Sequence, residues 1–304
     1  MKGYKAFEKG LVCKGKQYAK NTVFEENEAK VCESGMHFCE NPLDVLDYYP
    51  LIDDNGELTE YAEVEALDEV LTDDNKKYCT KKLKIGAKLD LPAFVKASID
   101  FQFEKTPVEK TIRKNKSASG DYSKLAASGD CSKLAASGYC SQLAASGNCS
   151  KLAASGDFSQ LAASGDFSQL AASGDCSKLA ASGDYSKLAA SGNSSQLAAS
   201  GYCSQLAASG NCSKLAASGD FSQLAASGNS SQLAASGDYS VVVGVGINNI
   251  AKAAKGCWIT LAEWRYDDEK EATIPVCVKT EYVDGEKIKE NVFYKLVDGE
   301  FTEV

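Results

Sequence analysis

His37 is the only histidine in 304 residues and stands between Cys32 and Cys39. An imidazole so close to two thiols invites either a metal centre or thiol chemistry. A zinc site would have to draw on Cys13, Cys32, Cys39, Cys79 and His37, the thiolate and imidazole ligands that Zn2+ takes in tetrahedral geometry. None of these cysteines has the CxxC spacing that presents two ligands from one turn, so only the fold could gather them. A single histidine also excludes any scheme that needs two. The stretch GMHFC therefore reads as a buried strand with a satisfied imidazole. No catalytic, cofactor-binding or metal residue is assigned, and no cofactor is expected.

The other residues able to act in concert do so by repetition. From Leu125 to Leu233 the chain repeats L-A-A-S-G-D-Y-S-K with a period of nine, about thirteen times. Leu, both alanines, Ser and Gly hardly change. The position after Gly is Asp, Asn or Tyr, the next is aromatic, Cys or Ser, and the last is Lys or Gln. Tyr122, Tyr139, Phe158, Phe167, Tyr185, Tyr202, Phe221 and Tyr239 are the candidate interaction surface, since large exposed rings are the usual anchors of protein interfaces.

The elements that must position them follow from the period. An SG step every nine residues breaks any helix, and helical repeats need thirty residues or more. Short strands with a turn at SG fit. Alternation puts Leu, the second Ala and the Ser of SK or SQ inward, with the variable residue, Lys or Gln and the first Ala outward. Stacked rungs close only over matching shapes, so the constant residues face the core. The chain is predicted to be mainly β: a nonapeptide β-solenoid at 119–240 with about two repeats per coil, about seven coils in all. A coil of three repeats is the alternative. The segment GYCSQLAASGNCSKLAASGDFSQLAASG occurs at 138–165 and again at 201–228. That offset of seven repeats is odd, which implies interchangeable nonapeptides. The first Ala, outward yet constant, reads either as a flat strip for close approach of another molecule or as relief from crowding.

The composition limits function. The formal charge is −9, with no basic region, which disfavours nucleic acid and anionic membrane. No run of residues is apolar enough for a membrane span or a signal peptide, and the reading is cytoplasmic. Six cysteines lie in the array where Phe, Tyr or Ser replace them, so they read as reduced, small, semi-apolar residues. Calcium coordination is disfavoured because SGD and SGN supply few acids per turn and Tyr139 and Tyr202 occupy the Asp position. Ice binding is disfavoured by the absence of Thr ladders.

The flanks read as smaller units. Residues 1–110 form an α+β domain: YKAF and LVC are short strands, and CESGMHFCENPLDVLDYY is a strand entering a helix capped by Asn41 with Pro42 in its first turn. YAEVEAL and KKLKIGA are strands, and a second helix begins near Pro92. A polar link covers 111–118. Residues 241–304 are a cap and antiparallel hairpins with turns at Asp284–Gly285 and Asp298–Gly299, and Trp258, Ile259, Leu261 and Trp264 seal the last coil.

The block MKGYKAFEKGLVCKGKQY, KVCESGMHFCENPLDVLDYY and YAEVEAL resembles an uncharacterised domain of bacterial, phage and prophage proteins, and the SGDYSKLAA array ending in KGCWITLAEW resembles the solenoids that accompany it. The resemblance implies phage ancestry, with a host-cell cytoplasmic location, and offers no activity to transfer. A second resemblance is to ADP-ribosyltransferase-like folds, in GMHFCENPLDVLDYY. It implies an NAD-using transferase with Glu63 or Glu65 as the acid, but such a fold needs an early Arg or His on the first strand, where this chain has Lys5. EVEA otherwise reads as an alternating edge strand. The leading expectation is a non-enzymatic interaction protein that presents a rigid repeat surface to a protein partner or to another copy. Antagonism of a host defence factor is its narrower form. The alternatives are the NAD-dependent transferase and a self-assembling rod.

Overall fold

A computed structural model describes residues 1–53, 59–105 and 115–304. The chain divides into two compact units, 1–101 and 102–304, and each is described by itself.

The first unit is built on an antiparallel sheet. Its strands are β1 (Lys2–Phe7), β2 (Val12–Cys13), β3 (Lys16–Gln17), β4 (Val23–Glu25), β5 (Met36–Cys39), β6 (Glu60–Ala66), β7 (Val70–Thr72), β8 (Lys77–Thr80) and β9 (Lys82–Leu89). Seven of them form one sheet in the order β4-β9-β6-β1-β5-β8-β7, and β2 and β3 pair separately. EYAEVEA is therefore an interior strand and not an edge. Its alternation arises because an antiparallel sheet can wet one face, leaving Glu63 exposed between buried Ala62 and Val64. Asn41 does cap a helix, its Oδ1 accepting from the Leu43 N–H at 3.1 Å, but Pro42–Asp47 winds as a 3-10 helix. The helix that begins near Pro92 is α1 (Leu91–Lys105). The polar link expected over 111–118 falls partly on residues outside those described. From Asn115 the chain is already strand.

In the second unit β10 (Asn115–Ala118) opens a series of four-residue strands, one every nine residues from β11 (Lys124–Ala127) to β23 (Gln232–Ala235), then β24 (Val241–Gly244) and β25 (Ile250–Ala253). Even strands pair with even and odd with odd, in parallel: Leu161 lies opposite Leu179, and Leu170 opposite Leu188. Each coil thus holds two nonapeptides and repeats every eighteen residues, and two sheets face each other across a leucine core. Pairing continues past the strict repeat into β24 and β26 (Trp258–Asp267). The solenoid therefore has about eight coils, one more than the repeat count predicts.

The constant residues each have a physical task. Leu is buried from Leu134 on, and the second Ala throughout. The Ser of SK or SQ is also buried, and its hydroxyl donates to the Gly carbonyl three residues earlier, as from Ser177 to Gly174 at 2.8 Å. That bond satisfies a polar group inside a dry core. Glycine is needed for close approach between coils, because a methyl group built at Gly192 would overlap the backbone of Gly174 below it. The variable residue is not on the strand. It occupies the corner, with φ between 52 and 58° at every such position from Tyr122 to Tyr239. A left-handed corner turns the chain sharply between sheets at a cost of ~1 kcal/mol or more for a residue with a side chain. The corner N–H is bonded into the next coil, Tyr185 N donating to Tyr202 O at 2.8 Å.

At the far end β26 forms a long hairpin with β27 (Ala272–Tyr282), ending the even sheet. β28 (Tyr294–Val297) pairs with β25 and with β29 (Glu300–Glu303), ending the odd sheet. The chain at Asp284–Gly285 therefore crosses between sheets and does not close a hairpin, whereas Asp298–Gly299 does. Ile259 and Leu261 seal the last coil as predicted, joined by Val283, Ile288 and Tyr294. Trp258 does not: it is 47% exposed against Tyr282. On β26 it holds an outward position, the one that alternation gives to every second residue.

Replacing Gly192 with Ala is expected to lower stability by roughly 3 kcal/mol, at the upper end of overpacking costs because backbone cannot yield. Ser177→Ala, which strands a buried carbonyl, is expected to cost about 1–2 kcal/mol. Equilibrium urea unfolding followed by circular dichroism ranks the two. A Gly192→Ala variant as stable as the parent contradicts the stacking.

Candidate interaction surface

Two nonapeptides per coil send successive corners to opposite edges of the solenoid, so the eight rings predicted as a surface separate into two ladders. Tyr122, Tyr139 and Phe158 lie on one edge, with centroids 6.0 and 5.4 Å apart. Phe167, Tyr185, Tyr202, Phe221 and Tyr239 lie on the other, with separations of 5.0, 5.9, 5.3 and 5.2 Å. The second ladder spans five consecutive coils without a gap, and all its rings are exposed, from 40% for Tyr202 to 63% for Tyr239. Partial desolvation of its phenol, then the neighbouring Cys203, raises the pKa of Tyr202.

The duplicated segment links the ladders. Tyr139 against Phe158 has a ring angle of 57°, and Tyr202 against Phe221 has the same 57° on the opposite edge. An odd offset moved the motif across the solenoid and kept its ring geometry.

Beside the rings run Asp and Asn, and the structure gives both residue types one shared task. Each Oδ1 accepts from the backbone N–H one coil on: Asp184 from Tyr202 at 2.8 Å, Asn193 from Asn211 at 2.9 Å and Asp220 from Asp238 at 2.8 Å. One carboxylate oxygen is used, and the charge stays at the exposed edge. Asp130, Asp166, Asp184, Asp220 and Asp238 share the edge of the five-ring ladder. Aromatic faces and carboxylates together favour cations.

The first alanine, constant and outward, behaves differently on the two sheets. It is buried on the odd sheet, at Ala144, Ala162 and Ala180, and exposed on the even sheet, at Ala135, Ala153 and Ala171. The even row lines a groove of about 1120 Å³ with the neighbouring serines.

In the first unit, Cys13, Cys32, Cys39 and His37 all line one cavity, together with Lys5. Cys32 meets His37 through its backbone N–H, which donates to Nε2 at 3.0 Å, and Cys79 Sγ donates to the Ser34 carbonyl. No disulfide joins any of the twelve cysteines. Among the described residues no three His, Cys, Asp or Glu side chains are grouped to hold a metal. Burial, then the nearby charges of Lys5, Lys77 and Lys14, holds His37 below the usual histidine range. Glu63 and Glu65 are not among the residues lining the cavity. Sequence spacing gave no sign of the cavity itself, since its lining comes from β1, β5, β8 and the loops between them.

Residues 1–97 match the profile of a domain of unknown function, DUF7666. No curated protein and no solved structure gives a significant match to the chain. The N-terminal unit is thus a DUF7666 domain, followed here by a β-solenoid.

Two outcomes are expected. Asp184→Asn retains an Oδ1 and should leave stability within about 0.5 kcal/mol, whereas Asp184→Ala removes the acceptor and should cost about 1 kcal/mol. Thermal and urea unfolding compare them, and equal losses would contradict the ladder role. His37 is neutral in the fold over a range where an unfolded histidine is charged. The unfolded chain therefore binds more protons below pH ~6.5, and the contribution of His37 to stability, complete above that value, is lost as pH falls toward its lower folded pKa. A proton NMR titration of the single imidazole should show a midpoint below 6.5, and a midpoint above it contradicts the burial.

Proposed function

We propose that the protein is a non-enzymatic display module whose solenoid presents the five-ring aromatic edge to a protein partner with an Arg- or Lys-bearing surface. The observation that carries this reading is the unbroken exposed ladder from Phe167 to Tyr239. Soluble proteins rarely expose contiguous large apolar groups without a partner, and rings on adjacent coils form a rigid surface whose side chains lose little freedom on binding. The row of aspartates beside it and the net charge of −9 select a basic counterpart. Guanidinium groups fit both features at once, stacking on rings while pairing with carboxylates. Among the described residues no helix is long and apolar enough to cross a membrane. The narrower form, a phage-borne antagonist acting in a host cytoplasm, is supported by the resemblance of the N-terminal block alone.

The test is affinity capture from the native host with the parent chain and with a Phe167→Ser, Tyr185→Ser, Tyr202→Ser, Phe221→Ser variant. The rings are exposed, the corner holding Phe167, Tyr185 and Phe221 accepts Ser at positions 194 and 230, and Tyr202 stands one residue before its corner with its ring exposed, so the variant should fold. A partner held by the parent should be lost by at least tenfold from the variant and weaken with added salt. Equal capture by both removes the ladder from consideration. A rise in mass of the purified parent with concentration, absent from the variant, would identify the partner as a second copy.

A further inference from the structure

The N-terminal unit encloses a cavity of about 690 Å³, within the range of small-molecule sites. Its floor is Lys5 on β1, which is only 6% exposed. Lys5 Nζ donates to the His37 carbonyl at 2.9 Å and lies 5.6 and 5.7 Å from the centroids of the Phe7 and Tyr18 rings. Among the described residues no carboxylate pairs with it. Buried lysines ordinarily answer a buried acid, because an unpaired charge away from water is costly. Here the side chains beside it in the lining are the Cys13 and Cys39 thiols.

The whole lining carries four lysines against three acids. Lys14 and Lys77 join Lys5, and Lys77 Nζ sits 4.5 Å over the Tyr48 ring. Of the three acids in the lining, Glu26 is paired with Lys16 and Glu33 with Lys30, and Asp47 lies by Tyr48. Tyr4, Tyr18, Tyr48 and Tyr49 supply flat surfaces, and Tyr49 is anchored by its hydroxyl to Cys13 Sγ at 3.2 Å.

We propose that this cavity binds a small anion carrying a flat ring, its phosphate or carboxylate beside Lys5 and Lys14 and its ring against the tyrosines. Burial holds Lys5 below the ordinary lysine range, and an anion alongside favours its charged form. The proposal is independent of the solenoid edge and requires no bond to be made or broken.

The probe is phenyl phosphate, titrated by calorimetry into the full chain, with inorganic phosphate and phenol as the two halves of the ligand. Saturable binding is expected for phenyl phosphate, at least tenfold tighter than for either half. Amide shifts in the NMR spectrum should centre on Lys5, Cys13 and Tyr49. Lys5→Gln should weaken binding at least tenfold. If that variant fails to fold, Lys14→Glu, an exposed rim change, should weaken it by a comparable factor with the fold intact. The proposal is overturned by a flat titration, by binding that neither substitution affects, by shifts outside the cavity, or by phosphate or phenol binding as tightly as the whole probe.

Discussion

The second unit depends on backbone lying directly on backbone every eighteen residues. Glycine stacks on glycine so closely that no side chain fits between coils, as at Gly174 and Gly192. That contact fixes the register of both parallel sheets, and register fixes everything else. Leucines of the array then lie opposite leucines, core serine hydroxyls reach their own turn's carbonyl, and Asp or Asn oxygens face the N–H one coil on. An error at any coil would propagate, because each coil contacts only its neighbours.

Under such a constraint the widest freedom left to the sequence is at the corner. The corner residue bears the cost of a left-handed backbone, yet its side chain meets no core and is Tyr, Phe, Cys or Ser. What varies is therefore what is displayed. Rings at coil spacing stack on one another, and each such pair contributes about 0.5–1.5 kcal/mol beyond its area. A ladder thus stiffens the same edge that it exposes. Binding to a preformed surface loses little entropy, which is the physical case for a display role.

Periodicity made the solenoid legible: a nine-residue period with constant Leu, Ala, Ser and Gly specified inward and outward positions, and the odd duplication implied equivalent nonapeptides. The left-handed corner was not legible, because Tyr and Phe ordinarily signal strand, and only stacking forces them into a turn. Nor was the division of the eight rings between two edges drawn out, although it follows from two repeats per coil. The inequality of the two alanine rows has no trace in the repeat, since KLAA and QLAA read alike on both sheets. In the N-terminal unit strands were readable from short alternating segments, but their order was not. Placing β6 inside the sheet and gathering Lys5, Cys13, His37 and Tyr49 around one cavity are consequences of tertiary pairing between segments far apart in the chain.

The most direct measurement is amide hydrogen exchange resolved residue by residue through the array. The corner amides of Phe167, Tyr185 and Phe221 sit in turns with exposed side chains, but each donates to a carbonyl of the next coil at 2.8 Å. They should exchange as slowly as the amides of the leucines within the strands. Fast exchange at these corners, with protection confined to isolated strands, would show that the coils are not stacked in register and would contradict the account.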